Sequence, residues 1–366
     1  MNCENVFTNG SIQQPHFMYE MFKSMGHSVT YLTNSSQGKQ NSLMGNETTD
    51  IHHYEWDKID LLLMISHIVE TDGNVQFLQA LRKKGVHIIQ MMCGQHHIFT
   101  VEDIIFERDM VVELLYNNYI TESWIFEMHS TSRSFYETLL NKPCRVVPYV
   151  WNSDVVDLYC SENGVDVYNP CVDRQMQEGT FIIMEPNLNV TKTCVVPLTI
   201  IENYYRKNPS KVRAVYLFSA KGLSERKPFQ KLLKYTTLNS DNKLHFYPRM
   251  VLPNVLHQFK TRGENVIFIS HQMLNQQNFL TLELFHYKYP VLHNCPYISE
   301  GGFYYNDNNL SETVNLIDKA MSSTGSSARV KSEEKILQQH DHLNHYRYRN
   351  LHIFSGHIHL NQLLIY

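Results

Sequence analysis

The sequence predicts an α/β protein built from two parallel-sheet domains in succession. Three observations lead there. Short β-branched and aromatic runs alternate with helically spaced apolar residues along most of the 366 positions, which is the pattern of βαβ crossovers. The alternation restarts after residue 151, and a chain of this length is expected to divide into two domains. The apolar runs end in loops rich in Asn, His, Lys and Gly, and open α/β sheets gather their ligand-binding groups at the carboxyl ends of strands.

The first domain is expected over 1–151. Residues 5–7 read as a very short strand, Thr8-Asn9-Gly10 as a turn, and Phe17, Met18, Met21 and Phe22 as one helix face. A second strand follows at 29–32, then a polar loop at 35–49. Residues 59–65 form a strong strand ending in Ser66-His67, with Glu70 and Asp72 beyond it. A helix at 75–84 stops at Gly85. The strand at 86–92 runs into Cys93-Gly94-Gln95-His96-His97. His67, Glu70, Asp72 and His96 thus stand at strand ends and are the candidate catalytic groups of this half. A helix at 101–116, a strand at 122–128, a helix at 132–140 and a strand at 144–150 complete it.

The second domain is expected over 152–328, opening with a linker and helical elements at 154–174. The strand at 180–184 leads into a loop with Asn187, Thr191 and Lys192, ahead of a helix at 195–206. Free N–H groups at a helix start and a lysine suit a diphosphate. The next strand, 214–218, is followed by Lys221, a second candidate phosphate contact. Helices at 227–235 and 252–259 flank a strand at 244–247. The strand at 266–269, a polar loop at 270–278 and a helix with Phe279, Leu280, Leu282, Phe285 and His286 come next. Tyr289-Pro290 ends that helix, because proline disfavours the α region for the residue before it. Glu283 lies about one turn into the helix, where a carboxylate can accept both hydroxyls of a ribose. Gly301-Gly302 permits close backbone approach, and a helix at 311–321 precedes a small polar connection at 322–327. Residues 329–366 read as a helical tail packing back on the first domain. Its six histidines, His340, His342, His345, His352, His357 and His359, are taken as structural or solvated, with no metal site expected.

Composition narrows the function classes. The net charge is −4 with histidine neutral, and no basic block stands out, which argues against nucleic-acid binding. Seven cysteines are scattered without a CxxC pair, as in reduced intracellular proteins. No leader-like succession opens the sequence, and no apolar run approaches the roughly 20 residues of a bilayer span. A soluble, cytoplasmic protein is expected.

The strand, polar loop, helix with Glu283, Tyr289-Pro290-Val291-Leu292 and glycine pair resemble the donor-binding segment of GT-B glycosyltransferases. More closely, the chain resembles a family of GT-B-like proteins of uncharacterised function known from bacteria and some large DNA viruses. The matching pieces, in order, are Thr8-Asn9-Gly10 with Gln13-Gln14, Trp124 through His129, and Val147-Pro148-Tyr149-Val150-Trp151. They continue with Glu185-Pro186-Asn187 and Lys192, Ser270-His271-Gln272, and Gly301-Gly302-Phe303-Tyr304-Tyr305. The resemblance implies two Rossmann-like domains facing across a cleft. It implies a metal-independent glycosyltransferase, without a cofactor, moving a sugar from a nucleotide-diphosphate sugar to a glycan, a glycoprotein or another hydroxyl acceptor. The donor side would be Asn187, Lys192, Lys221, Tyr247, Arg249, His271, Gln272, Asn275, Asn278 and Glu283, with Tyr247 or Arg249 against the base. Asn9, Gly10, Gly94, Gly301 and Gly302 would form acceptor or cleft loops. Many GT-B enzymes carry a first glutamate where this chain has Asn275, which departs from the usual handling of the sugar. Two alternatives stay open: a nucleotide-sugar epimerase or hydrolase of the same fold, and a non-catalytic subunit that binds a glycan or a partner.

Overall fold

The computed structural model describes residues 10–33, 48–50, 59–65, 72–107, 118–169, 176–276, 278–307, 309–322, 326–341 and 363–365. The chain divides into two compact units, Met1–Val155 with His340–Tyr366, and Val156–Gln339. The expectation had placed this division at residue 151.

The first unit opens with α1 (Gly10–Ser24), which buries Phe17, Met18, Met21 and Phe22. Gly10 is therefore the first residue of a helix rather than part of a turn, and the strand expected at 5–7 lies outside the described residues. Gly26, at φ 90°, closes the helix end. Then come β1 (Val29–Thr33), β2 (Thr48–Asp50), β3 (Leu61–Ile65), α2 (Asp72–Lys83) and β4 (His87–Met92). They are followed by α3 (His96–Ile105), β5 (Glu122–Phe126), a 3-10 segment, α4 (Arg133–Leu140) and β6 (Cys144–Val147). The strand expected at 144–150 stops at Val147 because Pro148 has no N–H for the ladder. The helix expected at 101–116 begins earlier, at His96. Its pattern is inverted: Glu102 and Asp103 are buried while Ile104, Ile105 and Phe106 are exposed, so apolar spacing misplaces it. The core under β3, β4 and β5 is built from Leu62, Met64, Phe77, Leu78, Leu81, Ile88 and Ile125.

At the division runs α5 (Asp154–Asn163). The second unit then has β7 (Gly179–Ile183), α6 (Val195–Lys207), β8 (Val212–Leu217), α7 (Lys221–Ser224), α8 (Lys227–Leu233), α9 (Thr237–Ser240) and β9 (Leu244–Phe246). It continues with α10 (Leu252–Thr261), β10 (Val266–Ile269), α11 (Phe279–His286), β11 (Val291–His293), β12 (Phe303–Tyr304), α12 (Thr313–Ser322) and α13 (Ser327–His340). Its six strands are all parallel in the order β12-β11-β10-β7-β8-β9. β7 and β10 are buried along their whole length, as central strands covered by helices on both faces must be. The chain builds outward from β7 to β9, then returns to the other side of β7 with β10. That reversal makes the β7/β10 junction a topological switch point, where doubly wound sheets leave a crevice beyond the carboxyl ends of their strands. The unit has its own core, including Phe181, Ile183, Leu198, Ile201, Tyr204, Leu217, Ile267, Ile269 and Tyr305.

The tail departs from the expected helical appendage. α13 ends at His340, and the chain closes with β13 (Leu363–Ile365). This strand lies inside the first unit's sheet, whose order is β2-β1-β13-β3-β4-β5-β6. It pairs in parallel with β1 on one side and β3 on the other. A short apolar end had too little length to be read as a strand from sequence alone.

Candidate functional site

The switch point of the second unit brings two loops together: residues 184–194 after β7 and 270–276 after β10. They are joined as a small antiparallel pair, with Lys192 opposite Gln272 and the Met273 N–H donating to the Thr191 carbonyl at 2.9 Å.

Each loop is built by its own polar side chains. Asn187 adopts a left-handed φ of 56°, which asparagine tolerates better than most residues. Its Nδ2 donates to the Glu185 and Ser219 carbonyls, and its Oδ1 accepts from the Cys194 N–H at 2.8 Å. The side chain expected to meet a diphosphate is thus spent shaping the loop. Gln272 is engaged too: its N–H donates to Asn294 Oδ1, its Nε2 to Glu185 Oε2, and its Oε1 accepts from Asn275 Nδ2. Asn278 caps α11, its Oδ1 accepting from the Thr281 N–H at 2.9 Å.

Four candidates keep spare capacity. Lys192 is half-buried and makes no ion pair among the described residues. Burial lowers its ammonium pKa, the Glu185 carboxylate opposes that, and nearby Arg249 adds to the lowering. Glu283 is buried, has no hydrogen-bond partner among the described residues, and is pushed by burial up to about 7. Asn278 Nδ2 is buried without a partner among the described residues. His271 is the most informative. Its Nδ1 lies 3.0 Å from the Tyr305 hydroxyl, which itself donates to the Ser270 carbonyl at 3.2 Å. Nδ1 must therefore carry the proton, leaving Nε2 as a buried lone pair with no partner among the described residues. Burial also lowers the His271 pKa, which keeps the ring neutral and Nε2 an acceptor.

The remaining donor-side candidates sit at the neighbouring strand ends. Lys221 is exposed at the start of α7, and Arg249 is exposed after β9. Tyr247 stacks on Phe218 with ring centroids 5.3 Å apart, so one face of its ring is covered by protein. Gly301 and Gly302 make close contacts with protein: a Cβ on Gly301 would lie 2.8 Å from Ile336 Cδ1, and one on Gly302 would lie 2.8 Å from the Val291 carbonyl. Packing, and φ 58° at Gly302, account for this glycine pair without a ligand.

In the first unit, Asn9, His67 and Glu70 lie outside the described residues, as does the side chain of Asp72, which opens α2. His96 is buried in the first turn of α3, where its N–H donates to the Gly94 carbonyl. A Cβ on Gly94 would meet the Phe99 ring at 3.1 Å. The structure does not bring the four catalytic candidates together within what it describes. Of the tail histidines, only His340 is described; its carbonyl accepts from the Trp151 N–H at 2.8 Å. Among the described residues no group of three His, Cys, Asp or Glu is placed to hold a metal ion, and no helix is long and apolar enough to cross a membrane.

Sequence reasoning missed Glu185 as a site residue. It is fully buried at the carboxyl end of β7, accepting from Ser270 Oγ at 2.7 Å, the His271 N–H at 3.2 Å and Gln272 Nε2 at 3.3 Å. Burial raises its pKa to about 7 against the pull of those donors and Lys192. A glutamate at the end of an apolar strand, fixed by the following proline, was the available signal. Asn294 was missed as well; its side-chain Oδ1 accepts from the Gln272 N–H and its Nδ2 donates to the Gln272 carbonyl.

A family model described as "Protein of unknown function (DUF2827)" matches residues 2–354. Among curated proteins none matches the chain by sequence. The structure is similar to HepE of Anabaena in complex with UDP and glucose, at 12% identity over 81% of this chain and 78% of that one, with a TM-score of 0.49. It is also similar to α,α-trehalose 6-phosphate synthase from Burkholderia multivorans, at 12% identity, 81% and 70% coverage and a TM-score of 0.49. Sucrose-phosphate synthase from Thermosynechococcus elongatus follows at 10% identity, 77% and 71% coverage and a TM-score of 0.47.

Proposed function

Since the chain belongs to the DUF2827 family of proteins of unknown function, its own residues must carry the reading, and we propose that it is a glycosyltransferase of the GT-B kind. It would use a nucleotide-diphosphate sugar as donor and a glycan, glycoprotein or other hydroxyl compound as acceptor, without a metal. One observation supports this above the others. In the loop after β7, at the switch point of a doubly wound sheet, stands Lys192, with no ion pair among the described residues, and α11, which follows the facing loop after β10, carries Glu283, a buried carboxyl without a hydrogen-bond partner among the described residues. The pair complements a nucleoside diphosphate: anion at one end, vicinal hydroxyls at the other.

In this reading Lys192 and the N-termini of α6 and α11 offset charge growing on the departing diphosphate, the larger part of such catalysis. Glu283 accepts from the ribose hydroxyls, which favours its ionised form and offsets the cost of burial. His271 Nε2 accepts from a donor hydroxyl. Arg249 and Lys221 border the phosphates, and Tyr247 packs on the base. The base for the acceptor hydroxyl is sought among His67, Glu70, Asp72 and His96.

The test is a panel of nucleotide sugars, followed by thermal protection and by release of nucleoside diphosphate in the presence of hydroxyl acceptors. Glu283→Ala is expected to weaken donor binding about 10- to 100-fold with the protein still folded. Unchanged affinity removes Glu283 from the site, and absence of binding by every donor removes the reading. Asn275, an amide where a carboxylate is usual, favours a second reading as a donor-binding subunit without turnover. Binding with no transfer to any acceptor supports it, whereas release of free or altered sugar supports hydrolysis or epimerisation.

A further inference from the structure

Glu185 has a role that the donor-site reading does not use. Its carboxylate ends β7, yet all three of its hydrogen-bond donors belong to the loop after β10: Ser270 Oγ, the His271 N–H and Gln272 Nε2. The same two loops meet a second time through the Lys192–Gln272 bridge. Asn294, after β11, holds the far side of Gln272 through Oδ1 and Nδ2. Tyr305, after β12, holds Ser270 and His271. Glu185 is thus the carboxylate on which the donors of the 270–272 loop converge, while Asp307 reaches the edge of the same lattice through Asn294 Nδ2, and Lys192 is the cation that acts on Glu185.

We propose that Glu185 is the positioning residue of this site: its carboxylate joins the two switch-point loops and keeps the Lys192 ammonium charged for an incoming diphosphate. This deepens the donor-site reading and rests on it for the identity of the anion. The chemistry follows from the donors. An ionised carboxylate accepts from all three at once, whereas a protonated one carries a hydrogen of its own and must give up part of that set. A negative charge beside Lys192 counteracts the tendency of a half-buried amine to lose its proton. The other titratable groups acting on Glu185 and Lys192 are Cys194 at the start of α6, Tyr305 after β12 and Arg249 after β9, with Asp307 acting on Tyr305 and on the His271 ring. Burial holds the Cys194 thiol and the Tyr305 phenol protonated and the His271 ring neutral. Lys192 is therefore the partner whose charge depends on Glu185.

The direct test needs no nucleotide. The intact protein is pulse-labelled with an amine-reactive anhydride across a pH series, and the Lys192 peptide is quantified by mass spectrometry. In Glu185→Gln the pH of half-maximal labelling should fall by about one unit or more, because the neutral amide no longer supports the ammonium. Glu185→Asp, which retains the charge, should keep the profile near that of the wild type. An unmoved profile in folded Glu185→Gln overturns the proposal. Should that variant fail to fold, hydrogen exchange in the wild type decides. After correction for intrinsic rates, protection of the His271 amide should fall about fivefold from pH 8 to pH 6, as its acceptor loses charge, and constant protection overturns the proposal. Calorimetric titration with UDP, GDP and ADP then separates the two ideas. A wild-type protein that binds none of them defeats the nucleotide reading, while the labelling profile still judges Glu185.

Discussion

Replacing Ile365 by alanine should destabilise the first unit and leave the second alone. Ile365 is buried in β13, with Tyr31 of β1 and Leu63 of β3 as its ladder neighbours, and both are buried. A truncated isoleucine in such a place leaves a cavity that a parallel sheet cannot collapse, at a cost of about 2–5 kcal/mol. For a unit of this size each kcal/mol lowers the melting point by about 2–4 °C, so the expected drop is about 4–20 °C. Among the described residues the core clusters of the two units share no member, and the effect is expected in one calorimetric transition only. Differential scanning calorimetry of wild type and Ile365→Ala resolves this, with Phe181→Ala in the second unit's core as the reciprocal control. Equal displacement of both transitions, or of neither, would refute the central placement of β13.

Gly302→Ala should destabilise the second unit by about 1–3 kcal/mol, since it combines φ 58° with a Cβ 2.8 Å from the Val291 carbonyl; chemical denaturation measures it. Arg329→Ala should cost about 3–5 kcal/mol, because it strands Glu333, which is buried beside that guanidinium and also accepts from the Gly302 N–H. Arg329→Met with Glu333→Leu should recover most of that loss, and failure to recover would point to a backbone cause. The second unit should also lose stability as pH rises from 5 to 7.5. Glu185, Glu283 and Glu333 are each raised by burial to about 7, so the folded state holds protons that the unfolded chain has released, and stability falls through that window. His271 and His293, lowered by burial, oppose this only below about 6.5. Glu283→Gln should flatten the profile, and a slope unchanged by that substitution would contradict the assignment.

Much of the second unit was legible because its segments are locally unambiguous. Val266–Ile269 is a buried β-branched run, and Tyr289-Pro290 stops α11 by steric necessity. Lys192 falls in the expected loop after β7 and Glu283 in the expected helix, α11. What sequence could not show was which polar side chains are spent on the loops themselves. Asn187 and Gln272 look like ligand contacts in one dimension, yet their hydrogen bonds build the turn and the loop pair. Glu185 entered only as part of the Glu185-Pro186-Asn187 piece, yet gathers three donors from residues far along the chain. β13 was missed for a related reason: its meaning depends on β1 and β3, and three apolar residues carry no period by themselves.

The position of β13 has a consequence for synthesis. Residues 363–365 leave the ribosome only after the whole of Val156–Gln339, a delay of roughly 10 to 40 s at ordinary elongation rates. Through that interval β1 and β3 wait without the strand that separates them, each presenting an unpaired edge of the kind that invites aggregation. The half translated first is thus the half completed last, and its two waiting edges are where a chaperone would be needed.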